Sequence, residues 1–138
     1  MSDICNTLFK GHKITKLDEK NRIVIWSKFR NQITVPQVLV CRGRVEDYPL
    51  LELKFSFPQV QPEMNIEEKM RNYSFGDLCN IRGEGRIAVP KAYFEYISEK
   101  RELKEIAQCG GGDRIYIFNA GDFTELDEKN TRENLKIL

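Results

Sequence analysis

The stretch "LDEKNRIVIWSKFR", residues 17–30, decides the reading of this chain. A polar turn feeds into a short apolar strand, and the strand into a basic amphipathic run. Residues 81–94, "IRGEGRIAVPKAYF", repeat that order at a constant offset. Arg22 stands over Arg86, Ile23 over Ile87, Ile25 over Val89 and Phe29 over Tyr93. In each copy a helical pattern, an apolar strand, a Gly-containing turn and a second apolar strand follow. These are "SKFRNQI", "QVLVCRG" and "LLELKFSF" in the first copy, and "PKAYFEYISEK", "KEIAQCGGG" and "DRIYIF" in the second. A pattern that recurs at fixed offset marks an internal duplication.

The segments "RIVI", "VLV", "RIAV" and "RIYIF" are short, rich in β-branched or aromatic residues, and bounded by Gly, Asn, Asp or Pro. They read as strands. Pro90 stands where a first helical turn begins, and Tyr93, Tyr96 and Ile97 fall on one helical face as core or subunit contacts. Between the copies, "QPEMNIEEKMRNYSF" offers an N-cap at Asn65, with Ile66, Met70 and Tyr73 at helical spacing, and predicts a connecting helix. The tail "LDEKNTRENLKIL" echoes residues 17–22 without a following strand and reads as a C-terminal helix or frayed end. The expected division is a first unit over 1–62, a connecting helix over 63–78, a second unit over 79–126 and a tail over 127–138.

A chain of 138 residues with 41% hydrophobic content can bury a core, and its charges are spread without a low-complexity tract. No apolar run approaches the roughly 20 residues needed to span a bilayer, and "MSDICNTLFKGHK" lacks the apolar centre of a signal peptide. A cytosolic protein is expected. Cys5, Cys41, Cys79 and Cys109 lie far apart with no C-x-x-C pair, and His12 is the only histidine. That pattern predicts reduced cysteines used as small apolar residues, with no metal and no cofactor. No nucleophile elbow or metal-ligand spacing supplies reaction machinery, so no enzyme is expected.

The net charge of +1 hides an asymmetry. Residues 1–44 carry nine Lys or Arg against three acids, a net +6, so the remainder sums to −5. One basic surface suited to a polyanion gives such a distribution, and so does a solvated face.

Asp18 and Arg22 form a D-x-x-x-R spacing across the turn. The carboxylate can accept backbone N–H groups or pair with the guanidinium, which stiffens the corner. Lys20 and Arg22 then project from a preorganised loop, or the unit is only a hairpin brace. Trp26 has two readings, stacking on a base or plugging a subunit interface, and burial is the plainer. His12 reads as a phosphate contact or as merely exposed. Gly110 to Gly112 lack the Lys-Ser/Thr of a P-loop and read as a hairpin turn.

Two such arrays in register resemble the MraZ family, whose members carry two SpoVT/AbrB-like units, each built on D-x-x-x-R, an apolar strand and a Pro-Ala-x-x-Arg-like helix start. The resemblance covers roughly residues 8–126. It implies a mainly β fold with short helices, in which two pseudo-symmetric units form an interlocked, double-split β-barrel. It also implies a sequence-specific, nucleoid-associated transcriptional regulator of the division and cell-wall gene cluster, assembled as a homo-oligomeric ring. Its expected partner is double-stranded DNA carrying short repeats upstream of its own operon.

The residues expected to bind DNA are Arg22, Arg86, Lys20, Arg82, Lys28 and Arg30, with Asp18 as the turn brace. Lys10, Lys13 and Lys16 add phosphate attraction. The sequence departs from the family pattern at three places. Arg82 stands where the family has aspartate, leaving the second turn to Gly83 and Gly85. Trp26 replaces a proline, and Phe94 stands where the first copy has Arg30. An AbrB-like antitoxin or protein-interaction module is the alternative on the same scaffold.

Overall fold

The structure, a computed structural model, describes residues 8–56, 65–70 and 76–137. The first unit supplies β1 (His12–Thr15), β2 (Ile23–Val24), α1 (Ser27–Arg30), β3 (Gln37–Val45) and β4 (Tyr48–Lys54). A short α2 (Ile66–Lys69) follows, inside the expected connecting segment, whereas Tyr73 lies outside the described residues. The second unit repeats the order as β5 (Asp77–Arg82), β6 (Arg86–Ile87), α3 (Lys91–Tyr96), β7 (Ile106–Gly110) and β8 (Arg114–Asn119). The chain then enters α4 (Ala120–Ile137), so a C-terminal helix is present and begins seven residues before the expected tail.

All strand pairs are antiparallel, and the eight strands form one curled sheet in the order β1-β7-β8-β4-β3-β5-β6-β2. The fold is the expected mainly β, two-unit interlocked architecture. Its interlock rests on β1 and β5, two strands whose exposed, mixed sequences carry no strong strand signal. β1 of the first unit pairs with β7 of the second, and β5 of the second pairs with β3 of the first. Each unit therefore completes the other's sheet.

The duplication is visible as a pseudo-twofold axis. Repeat-equivalent residues of β2 and β6, and of β4 and β8, stand 64 positions apart in the chain, and two such pairs sit directly opposite each other across strand ladders. They are Ile23 with Ile87 in the β2–β6 pair and Glu52 with Tyr116 in the β4–β8 pair. Residues on the inner face alternate along each strand, as a half-buried sheet requires. Ile23, Ile87, Val38, Val40, Leu51, Leu53, Ile115 and Ile117 meet there in one core. The two helical aromatics at equivalent positions, Phe29 and Tyr93, seal it from the sides. Tyr93 donates its hydroxyl to Asp77 Oδ2 at 2.6 Å, and Tyr96 donates to the Gly43 carbonyl at 2.6 Å, which anchors α3 as expected of a core face. A second, smaller cluster of Tyr48, Leu50, Ala107 and Phe118 lies under Phe123 and Leu126 of α4.

α4 starts early because Asn119 caps it. Its side-chain oxygen accepts from the Gly121 amide at 3.2 Å while its amide group donates to the carbonyls of Ile97 and Arg101. The run Gly110 to Gly112 closes the predicted β7–β8 hairpin, with Gly110 ending β7 and Gly112 at φ 83°. A Cβ at Gly110 would collide with the Phe9 carbonyl group, so the close approach of backbone requires glycine there.

Candidate nucleic-acid interface

Two loops at repeat-equivalent positions lead into the paired strands β2 and β6. The first, residues 18–22, is braced from within. Asp18 Oδ1 accepts from the Lys20 amide at 2.9 Å and the Arg22 amide at 2.8 Å, while Oδ2 accepts from Arg22 Nε at 2.8 Å. Both roles expected of this carboxylate are thus filled at once. Partial desolvation pushes its pKa up, but the Arg22 and Lys20 hydrogen bonds outweigh that and hold it below the ordinary 3.8. The loop closes because Asn21 takes a left-handed conformation, φ 58°, which asparagine tolerates better than most residues.

The second loop, residues 82–86, makes the corresponding turn with different residues and one further positive φ. Gly85, the counterpart of Asn21, has φ 79°, and Gly83 has φ 48°. Arg82 cannot replace the carboxylate brace, and Arg86 instead reaches across to the first unit. Its Nε lies 3.5 Å from Asp18 Oδ2, and its Nη1 3.6 Å from Glu84. One carboxylate therefore serves both arginines, with Arg22 and Arg86 converging on the same oxygen from the two units.

The remaining basic residues are divided in space. Lys20 is exposed in the first turn, and Arg82 is exposed at the end of β5, where the second loop begins. Lys28 is exposed on α1 with its ammonium 5.2 Å from the centre of the Trp26 ring, and Lys13 approaches the same ring at 5.8 Å. Arg30 turns to the second loop and donates from Nη1 to the Glu84 carbonyl at 2.5 Å. Trp26 is partly buried, edge-on to Phe29 at 5.0 Å, and His12 sits 4.8 Å from the Phe123 ring.

Sequence reasoning did not anticipate the Asp18–Arg86 pair, the Arg30 contact or the role of Gln108. Gln108 is fully buried in β7, accepts from the Trp26 amide and donates to Thr15 Oγ1 and the Val24 carbonyl. A polar residue inside the apolar run "EIAQCG" was the available signal for it. Among the described residues no helix is long and apolar enough to cross a membrane, and no group of three or more His, Cys, Asp or Glu is arranged to hold a metal ion.

No protein-family model matches the chain. It is 30% identical over 136 residues to the transcriptional regulator MraZ of Mycoplasmopsis synoviae (strain 53), covering 93% of this chain and 92% of that protein. To the transcriptional regulator MraZ of Arthrobacter sp. (strain FB24) it is 32% identical over 133 residues, covering 90% and 91%. To that of Pediococcus pentosaceus (strain ATCC 25745 / CCUG 21536 / LMG 10740 / 183-1w) it is 30% identical over 138 residues, covering 92% and 91%.

Proposed function

The chain belongs to the MraZ family of transcriptional regulators, and from that premise we propose that it binds double-stranded DNA sequence-specifically, at short repeats upstream of its own operon in the division and cell-wall gene cluster. The observation that carries this reading is the convergence of Arg22 and Arg86 on Asp18, in two loops that also carry the exposed Lys20 and Arg82. Guanidinium groups held in a fixed fork can grip a phosphate or a guanine edge bidentately, and exposed lysines add attraction to the phosphate backbone. A net charge of +1 makes one subunit a weak polyanion binder. A homo-oligomeric ring that repeats the basic loops engages a repeated DNA site through avidity, which gains affinity without new contacts. In this reading the protein works in the cytoplasm at the nucleoid and catalyses no reaction. The DNA contacts are Arg22, Arg86, Lys20, Arg82 and Lys28.

The test is binding of the purified protein to a duplex spanning the DNA upstream of its gene, at two salt concentrations. Tight binding that weakens steeply with salt is expected, with Arg22→Ala and Arg86→Ala each costing roughly 1–3 kcal/mol. Loss of binding in Arg22→Ala alone assigns the reading of DNA to the first loop. Absence of wild-type binding rejects the DNA reading and moves the protein-interaction alternative to first place.

A further inference from the structure

The two loops differ in what holds them. The first is braced internally by Asp18, but the second has two glycines at positive φ and an arginine where the brace would be. Beyond its own β5–β6 pairing and the Arg86–Glu84 contact, its restraint comes from the other unit. Arg30 leaves α1 and donates to the Glu84 carbonyl, and its methylenes lie over Gly85, where an added Cβ would stand 2.9 Å from Arg30 Cδ. The Ile25 amide bonds the Gly85 carbonyl at 2.9 Å, and Asp18 pairs with Arg86. Three consecutive residues of the second loop are thus held by the first unit.

The repeat supplies an internal comparison. Arg30 is the counterpart of Phe94, and Glu84 of Lys20. Phe94 has no donor to offer the first loop, and a groove of about 780 Å³ stays open there between Leu17, Lys20, Asn21, Phe94 and Leu103. The arginine stands on the side where Arg82 occupies the position of the aspartate brace.

From this we infer that Arg30 is a positioning residue, which sets the second loop so that Arg82 and Arg86 are presented to DNA and does not itself contact DNA. The role rests on the DNA-binding reading above and departs from the sequence expectation that grouped Arg30 with the DNA contacts. The N–H directed at Glu84 is a charge-assisted bond to a backbone carbonyl, and glycine-rich backbone has the most conformational freedom to lose when such a bond is made.

The experiment compares wild type, Arg30→Met and Arg30→Lys, each alone and in an Arg82→Ala/Arg86→Ala background. Methionine keeps an apolar stem and removes the donor, while lysine keeps both stem and a donor. Amide hydrogen exchange at Gly85 and Arg86, against Lys20 and Arg22 as internal controls, reads the clamp without DNA. Affinity for the upstream duplex reads its consequence. We expect faster exchange in the second loop only, about a tenfold loss of affinity in Arg30→Met, partial recovery of both in Arg30→Lys, and less than about a twofold further loss in the double-alanine background. Unchanged exchange, or a full tenfold loss that persists in that background, overturns the assignment, the latter by making Arg30 a direct contact. Failure of wild type to bind the duplex rejects the DNA role with the proposed function, while the exchange arm still decides whether the clamp exists.

Discussion

The backbone N–H of Trp26 donates to Oε1 of buried Gln108 at 2.9 Å, and at the repeat-equivalent positions both partners change together, to Pro90 and Val40. The register establishes the equivalence. Gln108 stands opposite Lys13 and Val40 opposite Asp77, and Lys13 and Asp77 are themselves 64 positions apart. Trp26 has φ −53° and ψ 134°, while Pro90 has φ −52° and ψ 140°, so the backbone is the same and only the donor differs. Where there is a donor there is a buried acceptor, and where proline removes the donor an apolar residue replaces the acceptor.

That covariation is measurable as a coupling. Gln108→Val strands the Trp26 amide and the Val24 carbonyl and should cost about 1–3 kcal/mol in urea unfolding. Trp26→Pro strands the Gln108 oxygen and also loses the ring contact with Phe29. The double variant should be more stable than the sum of the two single losses by about 1 kcal/mol or more; simple additivity would refute the pairing.

Ile23 and Ile87 face each other on the pseudo-twofold axis with no exposed surface. Truncating either to alanine removes the same buried methyl groups from the same core. Each should cost about 2–5 kcal/mol in denaturant melts, and the two losses should be similar. A neutral result at either position would place the core elsewhere.

Asp18 gives the first loop a pH dependence. Its folded pKa lies below 3.8, so its contribution to stability is full at pH values above 3.8 and is lost as pH falls through the lower folded value. Asp18→Asn should therefore be less stable than wild type at neutral pH, and the gap should narrow below pH 3.8. Paired thermal melts from pH 7 to pH 2.5 would show this, and a gap that widened on acidification would contradict the brace.

The described cysteines should be inert in the native protein. Burial pushes the Cys109 thiol up to about 12 and raises that of Cys79, while Cys41 is fully buried. At pH 8 about one Cys109 in ten thousand is thiolate, the only form that reacts. In a Cys5→Ser background, iodoacetamide should label native protein far more slowly than urea-unfolded protein. Rapid native labelling would mean that the sheet opens around β5 or β7.

Much of the fold was legible because it is local. The offset between the copies placed β2, α1, β6 and α3, and apolar runs between turn residues placed β3, β4, β7 and β8. The glycines of the second turn marked positive φ before any coordinates did. β1 and β5 were not legible, because "HKIT" and "DLCNIR" are short and largely exposed, and only their neighbours β7 and β3 make them strands. The early start of α4 was hidden inside what reads as the closing segment, since its cap depends on the carbonyls of Ile97 and Arg101 meeting Asn119.

The sequence by itself determined the duplication, the mainly β character, the two loop positions and the residues that can carry positive charge there. These follow from periodicity and from each residue's own backbone preferences, which act over a few positions. Only the tertiary structure decided that the units exchange strands, that Asp18 serves Arg22 and Arg86 together, and that Arg30 turns to the second loop. A charge or a strand edge has no partner until distant segments are brought together, and which segment arrives is set by long-range packing.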